Sequence, residues 1–157
     1  MRRTNNNRLW RYLGHFILIH LLTYSIIAVV FLTIQNKLPA VNRVALEFYQ
    51  PYRPLSFLVL LVQAVRGGVL ALVLYPFYDR IVQAERGLLI LFGALWGLVI
   101  LCSIEPLPGS IEGLIYTETT LAEHIIVLGA GAVQVLLFAC LFLRWERRTE
   151  AGVVDRD

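Results

Sequence analysis

Leu55–Phe77 reads LSFLVLLVQAVRGGVLALVLYPF, and Arg66 stands near its midpoint. The stretch is apolar enough and long enough to cross a bilayer. A charge at that depth costs about 2.5–3.5 kcal/mol on insertion scales. The guanidinium therefore needs a protected polar place, and other apolar spans have to supply it.

The rest of the chain offers those spans. Of 157 residues, 58% are hydrophobic and 16% charged, against about 25% charged in a soluble domain. Mean hydropathy is +0.68. Charge is also segregated, since the long apolar runs contain almost none of it. The chain reads as an all-α integral membrane protein: a four-transmembrane-helix bundle forming one membrane domain over residues 1–157, in a plasma or inner membrane. The formal charge of +3 comes from Arg at span ends. It speaks to topology and anionic lipid and not to nucleic acid.

The expected spans are residues 13–34, 55–77, 87–103 and 121–143, with an outer loop over 104–120 folded onto the bundle. The third is short for a span. The first follows a basic, Asn-rich start (MRRTNNNRLWR) and is read as a retained span, because Thr33-Ile34-Gln35 offers no signal-peptide cleavage site. Orientation comes from Arg and Lys. Arg2, Arg3, Arg8, Arg11, Arg80, Arg86, Arg144, Arg147, Arg148 and Arg156 fall on one side, and Lys37, Arg43 and Arg53 on the other. That asymmetry predicts both termini in the cytoplasm. Trp10, Tyr12, Tyr75, Tyr78 and Trp145 read as an aromatic belt on that side, and residues 78–86 as a solvated hairpin tip. Cys102 and Cys140 fall at opposite ends of antiparallel spans, about 20 Å or more apart by helical rise, beyond disulfide reach.

Gln63, Arg66 and Gly67 share a face at i, i+3, i+4, and Gly67-Gly68 allows close approach to it. His20 and Tyr24 share a face of the first span at comparable depth, as does Gln134 on the fourth. These residues predict one polar cavity near mid-membrane. His20, Tyr24, Gln63, Arg66 and Gln134 are its ligand-binding candidates, for an anionic or carbonyl-bearing amphiphile.

The third loop, EPLPGSIEGLIYTETT, carries Glu105, Glu112 and Glu118 beside Leu107, Ile111, Leu114, Ile115 and Tyr116. It is expected to pack into the outer mouth of the bundle and to bring Glu105 or Glu112 toward Arg66. Burial raises a carboxyl pKa, so Glu105 and Glu112 are the catalytic candidates for acid–base chemistry. Ser110 can cap one turn, and Thr120-Leu-Ala-Glu123 is a capping box. Glu123 and His124 are adjacent on a helix and point about 100° apart, so no metal site is assigned. Gly93-Ala-Leu-Trp-Gly97 and Gly129-Ala-Gly-Ala132 suggest close packing of the third and fourth spans, or homodimerisation. No phosphate loop, dinucleotide fingerprint, serine elbow or zinc motif occurs, and no cofactor is assigned.

The leading expectation is a pocket around Arg66 that takes a lipid-like ligand from the outer side, with a lean toward an enzyme acting on it. The alternative is a non-catalytic subunit or assembly factor docking a larger membrane complex. An oligomeric channel or transporter is third.

Overall fold

The computed structural model describes residues 2–37, 56–101, 108–116, 118 and 120–154. Among them there are helices and turns and no strand. The long helices are α1 (Arg2–Lys37), α2 (Phe57–Leu74), α3 (Gly87–Leu101) and α5 (Leu121–Val154), with a short α4 (Ile111–Tyr116). Three segments are long and apolar enough to cross a membrane: Arg8–Ile34, Phe57–Phe77 and Leu121–Glu150. The chain is thus a helical membrane protein by length and composition. α3 is apolar but has only 15 residues, about 22 Å of rise against a hydrocarbon core of about 30 Å.

Local chemistry sets the helix ends. Ser56 caps α2, its Oγ accepting the Val59 N–H at 3.3 Å. Pro76 lacks the N–H an α-helix needs, and the chain tightens into a 3-10 turn over Tyr75–Phe77. A wide π turn follows over Asp79–Gln83, ended by Ala84 in extended conformation. Arg147 of α5 closes this turn, donating Nε–H to the Val82 carbonyl at 2.8 Å and an Nη2 hydrogen to the Ala84 carbonyl at 2.7 Å.

Residues 78–86 are therefore not a solvated tip. Asp79, Arg80, Gln83, Glu85 and Arg86 are exposed, but Tyr78, Ile81 and Val82 are buried, because the π turn swings them under α5. The aromatic belt needs the same correction. Trp10 and Trp145 are exposed, whereas Tyr12 and Tyr78 belong to the core. Their rings meet edge to face at 5.3 Å, and Tyr12 meets Phe142 likewise at 5.5 Å.

α1 packs along α2 and α5, and α5 packs along α3. α2 and α3 are not among the pairs that pack along each other, so the four helices form an arc in the order α2, α1, α5, α3. Contacts of Tyr12 with Tyr75 and of His15 with Glu146 place the start of α1 beside the ends of α2 and α5. Both ends of the described chain therefore lie at one end of the arc. That end is solid: Tyr12, Phe16, Leu74, Ile81, Val82, Leu91, Phe138 and Phe142 fill it. Buried stripes at helical spacing supply it, Gly67, Ala71 and Leu74 on α2 and Gly87, Leu91 and Leu95 on α3.

The expected close packing at Gly93, Gly97, Gly129 and Gly131 is not found. A Cβ built at any of the four meets nothing within 4 Å. α3 turns its Gly87, Leu91 and Leu95 stripe into the core instead. Cys140 is exposed, and Cys102 lies outside the described residues.

Candidate functional site

Away from the aromatic core the arc is hollow. A cavity of about 680 Å³ lies between its helices, within the usual range for a small-molecule pocket of about 300–1,000 Å³. α1 contributes Phe16, His20, Thr23, Tyr24, Ile27, Ala28 and Phe31; α2 contributes Gln63, Arg66 and Leu70. Leu95, Leu98 and Val99 come from α3, and α5 adds Val127, Ala130, Gly131, Gln134, Val135 and Phe138. Its walls are thus largely apolar. Among the described residues, α2 and α3 both line the cavity and do not pack along each other.

All five ligand-binding candidates named from the sequence line this one cavity: His20, Tyr24, Gln63, Arg66 and Gln134. Their convergence follows from the contact between α1 and α2. A Cβ at Gly67 would stand 3.1 Å from His20 Cδ2, and one at Gly68 3.6 Å from Ile17 Cδ1, so the two glycines let the helices close up. His20 Nε2 then lies 3.2 Å from Gln63 Oε1. With the Nε2–H tautomer of His20 donating to that oxygen, the Gln63 amide group keeps its two hydrogens for another acceptor. Arg66 lines the cavity yet is exposed, which places it at the rim. None of the ion pairs among the described residues involves it. Thr23, which the sequence reading passed over, also lines the cavity, but its hydroxyl already donates to the Ile19 carbonyl at 2.9 Å.

The segment before α5 reaches the cavity by its Pro108–Ser110 turn and not by the described apolar side chains of α4. Pro108, Gly109 and Ser110 are buried and line the space. Gly109 has φ +90°, a conformation L side chains rarely adopt, and a Cβ there would stand 2.9 Å from Val127 Cγ1. Its N–H donates to Nδ1 of the buried His124 at 2.8 Å, while the Gly113 N–H donates to Ser110 Oγ at 2.9 Å. The capping box is formed as expected: the Thr120 N–H donates to Glu123 Oε2 at 2.6 Å and the Glu123 N–H to Thr120 Oγ1 at 3.4 Å.

Ile111, Leu114, Ile115 and Tyr116 face outward, contrary to the expectation that they fold into the mouth. α4 is six residues long and turns only its Gly113 face inward. Leu107 and Glu105 lie outside the described residues. Glu112 is half-buried on α4, its Oε2 is without a hydrogen-bond partner, and it is not among the residues lining the cavity.

A second polar constellation escaped the sequence reading: His15, Tyr78, Glu146 and Glu150, joined to Arg8 at the solid end. Its signal was present, since Arg8, Tyr12 and His15 recur at helical spacing on α1, and Glu146 and Glu150 are one turn apart on α5.

No protein-family model, curated protein or solved structure matches the chain.

Proposed function

We propose that the cavity binds an amphiphile with an anionic or carbonyl-bearing head, held by Arg66, Gln63, Gln134, Tyr24 and His20. The observation that carries this reading is the company Arg66 keeps. It shares an apolar-walled cavity with His20, Thr23, Tyr24, Gln63, Ser110 and Gln134, no described carboxylate lines that cavity, and no described acid pairs with Arg66. Such a site offers hydrogen-bond donors to a negative or carbonyl oxygen and apolar surface to a chain.

In the same reading the protein spans the membrane four times, with α3 as the short crossing and both termini in the cytoplasm. The Pro108–Ser110 turn caps the outer end of the cavity, and the ligand enters from the bilayer between α2 and α3. Binding carries the proposal further than catalysis, because Glu112 stands apart from the cavity lining.

The test is native mass spectrometry of the protein purified in detergent, with lipid extraction. The expected result is a bound amphiphile on the wild type that is lost from Arg66→Ala, with the helical content of the variant unchanged. A wild type free of bound amphiphile, or an Arg66→Ala variant that keeps it, overturns the reading.

A further inference from the structure

The solid end of the bundle holds charged groups that ligand binding does not use. Glu146 on α5 is fully buried. Its Oε2 lies 2.7 Å from Nδ1 of His15 on α1, and its Oε1 lies 3.0 Å from the Tyr78 hydroxyl oxygen. That same hydroxyl oxygen is 3.0 Å from Oε1 of Glu150, one turn further along α5. Arg8 Nη2 is 2.9 Å from Asp79 Oδ1 and 3.1 Å from Glu150 Oε1, and its guanidinium lies 4.1 Å over the Tyr78 ring.

Counting hydrogens shows what is missing. Three contacts run in a chain, from His15 to Glu146, from Glu146 to Tyr78 and from Tyr78 to Glu150, and each needs one hydrogen. His15 supplies the first from Nδ1. Tyr78 has one hydroxyl hydrogen and can donate it to one of its two carboxylates. An ionised carboxylate only accepts, so the remaining contact sets oxygen against oxygen with nothing between. Deprotonated Tyr78 would make the deficit worse, and burial, with Glu146 and Glu150 beside it, pushes the Tyr78 hydroxyl well above the ordinary phenol range.

Charge counting agrees. The groups in contact or electrostatic interaction with Glu146 and Glu150 are Arg8, Tyr12 and His15 from α1 and Tyr78 from the turn; Asp79 and Arg147 lie nearby, as does the half-buried Arg11 on α1. Arg147 is committed to the Val82 and Ala84 carbonyls, and Arg8 is shared with Asp79. Glu150 thus has Arg8, shared with the exposed Asp79, while the fully buried Glu146 has only His15 as an ion-pair partner among the described residues, and a buried uncompensated charge is costly.

We propose that this cluster is a proton-binding site: Glu146 and Glu150 hold between them, through Tyr78, one proton beyond the tyrosine's own. The bound proton closes the third contact and so fastens α1 and α5 to the turn after α2. When it leaves, one of the two Tyr78 contacts opens.

Infrared spectroscopy of the full chain in detergent tests this at about pH 7, where exposed carboxyl groups are ionised. The expected spectrum contains the carbonyl stretch of a protonated carboxylic acid, shifted in D₂O and lost at alkaline pH. The band is expected to be absent from Glu146→Gln and from Glu150→Gln, since either leaves the Tyr78 hydrogen sufficient for the one remaining carboxylate. Glu150 is only partly buried, so Glu150→Gln decides alone if Glu146→Gln does not fold. A wild-type spectrum without the band, or a band unchanged in Glu150→Gln, overturns the proposal.

Discussion

Gly67 and His20 stand where α1 and α2 close over the cavity: a Cβ at residue 67 would lie 3.1 Å from the His20 ring. Gly67→Leu is expected to push the helices apart, break the His20–Gln63 contact and destabilise the protein by about 1–3 kcal/mol. Gly68 is the control. A Cβ there makes an ordinary 3.6 Å contact with Ile17, so Gly68→Ala is expected to be neutral or to stabilise by up to about 1 kcal/mol through helix propensity. Thermal unfolding of both variants in detergent checks the pair.

Gly87 is the tightest point of the turn between α2 and α3. A Cβ there would collide with the Ile81 carbonyl oxygen, next to the Val82 carbonyl that Arg147 holds. Gly87→Ala is expected to cost about 3 kcal/mol or more, read as a lowered melting temperature. Wild-type stability in this variant would mean that the π turn is differently built.

The cap over the cavity rests on Gly109 and His124. Gly109→Ala combines an unfavourable φ with a Cβ 2.9 Å from Val127 Cγ1, and is expected to cost about 2–4 kcal/mol. Val127→Ala made alongside relieves the contact but not the backbone strain, so the double variant should recover only part of the loss. Full recovery in unfolding measurements would show that φ at residue 109 is unimportant.

These positions also show what the sequence could and could not reveal. The apolar runs and the shared cavity of His20, Tyr24, Gln63, Arg66 and Gln134 were legible, because helical rise alone sets the five at comparable levels along their helices. The turn after α2 was not. Asp79, Arg80, Glu85 and Arg86 look like a solvated tip, and only the tertiary position of α5 explains why Ile81 and Val82 are buried among them. Tyr12 and Tyr78 were misplaced for a related reason: an aromatic residue near a span end suits an interface or a core equally well. Gly93 and Gly97 carry a packing motif whose use depends on which face of α3 meets α5. The pairing of His15 with Glu146 joins residues 131 positions apart; helical spacing shows a polar face on each helix but not that the two faces meet.

The proposed topology rests on the Arg asymmetry. With Cys102 and Cys140 replaced, a cysteine at the exposed Glu118 is expected to react with an impermeant thiol reagent from outside intact cells. One at the exposed Gln83 should react only after the membrane is opened. The reverse pattern would invert the proposed orientation, and labelling of both from one side would remove the fourth crossing.

In the proposed site Arg66 selects the head of the ligand. The direct measurement compares binding of a long-chain fatty acid and of the alcohol of equal chain length to the purified protein, wild type and Arg66→Gln. A charge-assisted hydrogen bond contributes about 1.5–3 kcal/mol, so the wild type is expected to prefer the acid by roughly 10- to 100-fold, and Arg66→Gln to bind both about equally. Equal affinity for acid and alcohol in the wild type, or an acid preference that survives in Arg66→Gln, would contradict it.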